Sequence, residues 1–227
     1  MDPLDTVFDN LDRWRHFPSY QLERRADIFF SVYLKEVVEE FEHCELEDEI
    51  IPELPIKHDG SSHSDKVDYA LFAKDRSQVF LVELKTDSAS LSDTQDAYLK
   101  RAKDRGFRRI VEGIRAIIAC TAERQKYHHV AVALARLGDL HMPADLEEYT
   151  YPRPRAGLAS RLSKIEVAPV DSKVHIIYVL PDVADDKRCI DFARFATCVG
   201  KYSDPLSQRF AEHLLKWTTI AGSTKPR

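Results

Sequence analysis

Two acidic residues and one lysine lie at chemically useful spacing in the first half of this chain. Asp68 falls on the first arm of a predicted hairpin, and Glu83 and Lys85 fall at the end of its second arm. Because side chains alternate along a strand, Glu83 and Lys85 point to one face and Leu84 to the other. Two acids and a lysine beside apolar residues are costly to desolvate unless a partner compensates their charge. The spacing therefore predicts a bound divalent cation.

The residue types suit Mg²⁺ or Mn²⁺. Mg²⁺ prefers oxygen ligands, and proteins usually hold it with one or two carboxylates plus waters and substrate phosphate. Asp68 and Glu83 supply the carboxylates, and the carbonyl of Leu84 supplies a third oxygen. A metal there polarises a phosphoryl oxygen and lowers the pKa of a bound water. Lys85 orients or activates that water and offsets charge in the transition state. The expected reaction is metal-assisted phosphodiester hydrolysis.

The spacing of these residues is similar to a known family pattern. Fourteen residues separate Asp68 from the tripeptide Glu83–Lys85, and Gln95 and Tyr98 follow on the next predicted helix. This arrangement resembles the PD-(D/E)XK nuclease superfamily, and most closely its RecB-like exonuclease branch. The motif itself spans roughly 35 residues, and the order of elements extends the likeness over about residues 24–136.

The resemblance implies a function and a set of site residues. It implies a divalent-metal-dependent nuclease that hydrolyses DNA, with Asp68, Glu83 and Lys85 at the centre and Gln95 and Tyr98 beside them. Superfamily members often add an acid from the first helix. Helical spacing places Glu40 at the border of that helix's apolar face, with Glu36 as the reserve.

Three other interpretations stay open. One is the hydrolysis of another phosphodiester, such as RNA or a nucleotide, and the remaining two do not involve catalysis. In one, the hairpin is exposed, and Glu83 and Lys85 merely form an ion pair on one face. In the other, the chain keeps the nuclease fold but has lost catalysis, and binds nucleic acid or a protein partner. The presence of all three of Asp68, Glu83 and Lys85 favours the enzyme, because a silent module would have no use for the full set.

Composition limits the classes of protein. The chain has 227 residues, 44% of them hydrophobic and 31% charged, which is typical of one globular domain spanning 1–227. No apolar stretch is long enough for a membrane span, and the amino terminus is acidic rather than signal-like, so a cytoplasmic protein is expected. No glycine-rich phosphate loop occurs, so no nucleotide cofactor is expected. The scattered cysteines indicate reduced thiols.

Charge distribution favours a nucleic-acid partner despite a net charge of −5. A basic run follows the motif strands, where a phosphate backbone would have to lie. A solvated helix face would give the same pattern. Whether the chain forms a homodimer or a larger complex stays open. The basic residues expected to contact DNA are Lys100, Arg101, Arg105, Arg108 and Arg109.

Local patterns predict the elements around the motif. They indicate a three-layer α/β/α sandwich around a central mixed sheet, like that of restriction endonucleases. A frayed tail is expected at 221–227. The predicted helices span about 24–44, 90–126, 187–199 and 205–218. The second of these has a predicted break at Gly106 and either Ser90 or Ser92 as its N-cap. The predicted strands are 45–55, the two motif strands, 129–135 and 174–180.

Overall fold

The computed structural model describes residues 2–17, 20–58, 63–87, 92–120, 124–143, 146, 162–185 and 187–221. Within these ranges the chain is mixed α/β. No helix of the described residues is long and apolar enough to cross a membrane. The helices are α1 Pro3–Trp14, α2 Leu22–Glu42, α3 Asp93–Arg105, α4 Phe107–Cys120, α5 Arg124–Arg136, α6 Phe192–Val199 and α7 Pro205–Ala221.

Five strands form a mixed sheet in the order β1-β2-β3-β6-β7. β1 and β2 pair antiparallel from Ile51 opposite Ala70 to Lys57 opposite Ser64, whereas β6 and β7 run parallel. Strands β4 and β5 form a separate antiparallel pair. The strands are β1 Ile51–Lys57, β2 Ser64–Phe72, β3 Gln78–Leu84, β4 Leu140–His141, β5 Glu166–Val167, β6 Lys173–Leu180 and β7 Cys189–Asp191.

The chain divides into two compact units. The first unit comprises Met1–Leu46, Val82–Gln95 and Ile177–Arg227. Its core is aromatic, because the amphipathic helices α2, α6 and α7 each turn phenylalanines inward. The ring of Phe30 lies 5.3 Å from Phe192 and 5.1 Å from both Phe195 and Phe210. Such tilted and edge-on pairs are the favoured arrangements of aromatic rings.

The second unit comprises Glu47–Leu81 and Asp96–Ile176. Here α4 packs on β1 and α5, and Phe107 lies 5.6 Å from Phe72 of β2. Gly113 permits close approach of α4, since an added Cβ would lie 3.0 Å from the Cβ of Lys57. A buried ion pair joins Asp139 to Arg76 in the β2–β3 turn.

The predicted break at Gly106 is confirmed. Helix α3 ends at Arg105 and α4 begins at Phe107. Gly106 between them has a φ of +84°, a left-handed conformation that glycine adopts without a Cβ penalty. The first carboxylate oxygen of Asp171 accepts a hydrogen bond from the backbone N–H of Arg108 at 3.4 Å, near the start of α4.

The strand predicted at 129–135 is wrong, because this segment lies within helix α5. The alternation of valine and alanine suggested a period of two, but alanine is the strongest helix former. Burial follows a helical pattern: Ala131 and Leu134, one turn apart, are 1% and 0% exposed. They belong to the face of a helix that packs on α4.

Two other boundaries differ from prediction. The strand expected at 45–55 instead spans β1, Ile51–Lys57. Pro52 and Pro55 lie inside it, and β1 tolerates these prolines because it is an edge strand whose outer N–H groups need no partner in the sheet. The helix expected at 187–199 begins only at Phe192, after strand β7, with Asp191 as N-cap. Helix α1 was not predicted. The Ser90 cap and residues 222–227 of the predicted tail lie outside the described residues.

Candidate active site

The end of β3 places Glu83 and Lys85 in the interior of the first unit. Their side chains are 1% and 7% exposed. Lys85 follows the last residue of β3, but its N–H donates to the carbonyl of Val179 in β6 at 2.9 Å, so strand pairing continues through it. That pairing fixes the backbone from which both side chains project. Strand alternation predicted that Glu83 and Lys85 lie on the same face, and their direct hydrogen bond agrees with that prediction.

Three oxygen atoms surround the Lys85 ammonium. Its Nζ lies 2.6 Å from Oε1 of Glu83, 3.0 Å from the carbonyl oxygen of Leu84 and 3.3 Å from Oε1 of Glu23. The ion pair that the exposed-hairpin interpretation predicted does form, but it is buried rather than exposed. A buried pair carries a desolvation cost that surface pairs avoid. Burial therefore disfavours the interpretation of a simple surface pair.

Gln95 reaches the same glutamate from the first turn of α3. Its Nε2 donates a hydrogen bond to Oε1 of Glu83, the oxygen that also contacts Lys85. One carboxylate oxygen thus accepts from an ammonium and from an amide. This fixes the carboxylate's orientation. Gln95 and Glu83, predicted from sequence as parts of one site, are brought together within the first unit.

Glu23 was missed by the sequence analysis. The predicted helix began at Arg24, whereas α2 begins at Leu22 and holds Glu23 in its first turn. An acid is favoured there because it faces the positive end of the helix dipole. The available signal in the sequence was Leu22-Glu23, an acid next to an apolar residue.

The structure does not bring Glu40 to this cluster. At about 1.5 Å per residue, the stretch of α2 from Glu23 to Glu40 measures roughly 25 Å, and that from Glu23 to Glu36 roughly 20 Å. Glu40 instead lies 2.5 Å from Nζ of Lys201, and this hydrogen bond holds the pKa of Glu40 below its usual value. Glu40 was selected by its angular position around α2. That criterion identifies a face of the helix but not how far along the helix the residue lies.

Two further predicted residues, Asp68 and Tyr98, belong to the second unit. Tyr98 is 7% exposed, and its hydroxyl donates to the carbonyl of Lys66 at 2.7 Å, which fastens α3 to β2. Asp68 lies on β2 and is half-buried between the buried residues Val67 and Tyr69. The role of Tyr98 seen here is structural, and its part in a reaction stays a prediction.

The first-unit cluster has donor atoms of the kind that a hard cation prefers, although their contacts seen here are with the Lys85 ammonium. Glu83, Glu23 and the Leu84 carbonyl offer only oxygen atoms, which Mg²⁺ and Mn²⁺ prefer. Across the described part of the chain, no group of three or more His, Cys, Asp or Glu side chains is arranged to hold a metal ion. A metal here would therefore draw its remaining ligands from main-chain carbonyls, water and substrate, as Mg²⁺ commonly does.

No family model, curated protein or solved structure matches this chain. The resemblance to PD-(D/E)XK nucleases remains an expectation from the sequence.

Exposed cations are concentrated on α3 and α4 in the second unit. Glu112 neutralises part of their charge, at 2.5 Å from Arg109 and 3.5 Å from Arg108, and Asp96 lies 3.7 Å from Lys100. The cations outnumber these acids, so the surface stays positive. The exposed cations are Lys100, Arg101, Lys103, Arg105, Arg108, Arg109 and Arg115.

Proposed function

We propose that this chain is a divalent-metal-dependent nuclease that hydrolyses phosphodiester bonds of DNA. The observation that carries the proposal is the buried contact of Lys85 with Glu83, in which Gln95 also donates to the same carboxylate. Buried charged clusters of this kind are common at functional sites, because ordinary cores avoid the desolvation cost. The proposed fold is a three-layer α/β/α sandwich of the restriction-endonuclease type.

Each residue has a proposed role. Glu83 holds the metal with one carboxylate oxygen, and the sequence pattern supplies Asp68 as the second carboxylate. Gln95 fixes the orientation of Glu83 through its amide. Lys85 orients the attacking water, and Glu23 holds the Lys85 ammonium in place. When bound, the divalent cation would polarise the phosphoryl oxygen and lower the pKa of a water molecule.

Charge compensation supports these roles. The Lys85 ammonium contacts the carboxylates of Glu83 and Glu23, and it compensates the buried negative charge of Glu83. A divalent cation bound at Glu83 would add further positive charge beside these carboxylates. The exposed cations of α3 and α4 supply a surface for the phosphate backbone, which gives binding without sequence preference.

Cleavage of labelled single- and double-stranded DNA in Mg²⁺, Mn²⁺ and EDTA tests this proposal. We expect cleavage only with metal, and a loss of at least about a hundredfold in Glu83→Gln and in Asp68→Asn, since each removes a proposed metal ligand. Glu53→Gln is a matched control, because Glu53 is a 62% exposed acid on β1. Binding of DNA without cleavage in either metal would favour the catalytically silent module.

A further inference from the structure

The connection between α1 and α2 combines exposed aromatic rings with arginines. Trp14 and Phe17 are 36% and 56% exposed. Tyr20 packs edge-on against Trp14, with 6.1 Å between ring centroids, and the guanidinium of Arg13 lies 5.9 Å from the Trp14 centroid. Large rings at the surface beside cations are the components from which single-stranded nucleic-acid sites are built.

Three acids near this connection, Asp12, Glu23 and Asp27, have hydrogen-bond or ion-pair partners in the first unit. Asp12 accepts a hydrogen bond from the Trp217 indole at 2.7 Å and lies 2.9 Å from Nδ1 of His213. Glu23 contacts Lys85, and Asp27 accepts from the N–H of Ile28 at 2.7 Å. The carboxylates keep their negative charge in these contacts, and the charge of Asp12 also acts on Arg15.

Arg15 has an unused donor in this region. Its side chain is half-buried, and its Nη1 is buried without a hydrogen-bond partner among the described residues. Burial lowers the pKa of Arg15, opposed by the charges of Asp12 and Asp87. A guanidinium offers five donors in a planar fork that matches the oxygens of a phosphate group. A phosphate at the solvent-accessible part of this half-buried side chain would compensate its desolvated charge.

The position of this connection is fixed relative to Lys85. Glu23 lies in the first turn of α2, next to the exposed Arg24 and Arg25, and its carboxylate reaches the Lys85 ammonium at 3.3 Å. All of these residues belong to the first unit. A strand held at the start of α2 would therefore lie at the end of the helix that reaches the candidate active site.

We propose that residues 13–17 and 20–25, which we call the aromatic–arginine segment, bind unpaired nucleotides of a single-stranded nucleic acid beside Lys85. Trp14 and Phe17 stack on bases, and Arg15, Arg24 and Arg25 contact phosphates. Bases inside a duplex stack on one another and are not available to these rings. The inference names the substrate class of the proposed nuclease and rests on that proposed function.

Binding of oligo(dT) in EDTA tests the segment without cleavage. The chain has two tryptophans, and Trp217 is fully buried, so quenching of fluorescence reports on Trp14. We expect quenching in the wild-type protein and roughly tenfold weaker binding in Phe17→Ala, because one base can no longer stack. Affinity for a duplex of equal length should fall by less than about twofold in that variant. Leu215→Ala, which truncates a 50% exposed residue on α7, should match the wild type.

The arginines give a second, independent readout. In Arg24→Gln and Arg25→Gln, the slope of log affinity against log salt should fall by about 0.7 for each single-strand phosphate that the side chain no longer neutralises. Phe17→Ala should leave that slope unchanged. Failure of oligo(dT) to quench Trp14, or equal weakening of single-strand and duplex binding in Phe17→Ala, would overturn the inference. Wild-type protein that quenches but never cuts in Mg²⁺ or Mn²⁺ supports the segment while overturning the nuclease.

Discussion

Glu23 and Lys85, which are 62 positions apart in the chain, meet with 3.3 Å between Oε1 and Nζ. This contact ties the first turn of α2 to the end of β3 within the first unit. It makes the first turn of α2, rather than its carboxyl-terminal end where Glu40 lies, the part of the helix that contributes to the candidate active site. The difference can be tested with two conservative substitutions on the same helix.

Glu23→Gln should slow DNA cleavage by about tenfold, because supporting residues around a metal or catalytic group typically contribute about 10–100-fold. Glu40→Gln should stay within about twofold of the wild type, since Glu40 pairs with Lys201 instead. Single-turnover rates in Mn²⁺ measure both. A large decrease in Glu40→Gln with none in Glu23→Gln would place the chemistry at the other end of α2.

Asp12→Ala should loosen α1 from α7. Asp12 accepts from the buried Trp217 indole and lies beside the buried His213, so truncation leaves the indole N–H without its acceptor. We expect the free energy of unfolding to fall by about 1–3 kcal/mol. Asp9→Ala, an exposed acid on the same helix, is the control. Urea denaturation measures both, and equal midpoints for the two variants would contradict the prediction.

Arg76→Met should destabilise the protein by about 3 kcal/mol, because it leaves the buried Asp139 carboxylate without its cation. Burial raises the pKa of Asp139 even with Arg76 present. The folded state favours the protonated form of Asp139. The contribution of Asp139 to the free energy of unfolding is therefore present below its ordinary pKa, and it is lost as the pH rises through its pKa in the folded state.

The melting temperature of Arg76→Met should therefore fall further below that of the wild type as the pH rises from about 4 to 8. The double variant Arg76→Met, Asp139→Leu should recover much of the stability, because it replaces both members of the pair. If the melting temperature of Arg76→Met lies below that of the wild type by the same amount at every pH, weaker packing against Phe72, rather than charge, causes the destabilisation.

Cys198 should react slowly with iodoacetamide. Burial, aided by the hydrogen bond to Glu40, raises the pKa of its thiol to about 11. At pH 8 roughly 0.1% of such a thiol is thiolate, against about a quarter of an ordinary one. Peptide mass spectrometry should show Cys198 labelled at least about tenfold more slowly than Cys189, which is only half-buried. Faster labelling of Cys198 would contradict this prediction.

Short-range geometry made part of the candidate site predictable from the sequence. Alternation along β3 was enough to place Glu83 and Lys85 on one face, and Gly106 was enough to locate the break between α3 and α4. Glu23 was not predicted, because the meeting of α2 with β3 depends on packing between distant segments. Glu40 was chosen by angle around the helix, a criterion that carries no information about position along it.

Alternating residue types were misleading in one segment. The run from His129 to Ala135 alternates like a strand, yet it lies in helix α5, where Ala131 and Leu134 share the buried face. The alanines permit a helix, and contact with α4 selects it. The exposed rings at Trp14 and Phe17 were not predicted either, since exposure depends on which faces the other helices cover.

The most direct test of the central claim is single-turnover cleavage by Lys85→Met, measured beside DNA binding in EDTA. Lys85→Met removes the ammonium but keeps the stem that packs in the core, and its melting temperature shows whether it folds. We expect the cleavage rate to fall by about a hundredfold or more while DNA affinity stays within about threefold of the wild type, as for the removal of a catalytic group. Cleavage by Lys85→Met at the wild-type rate would contradict the claim.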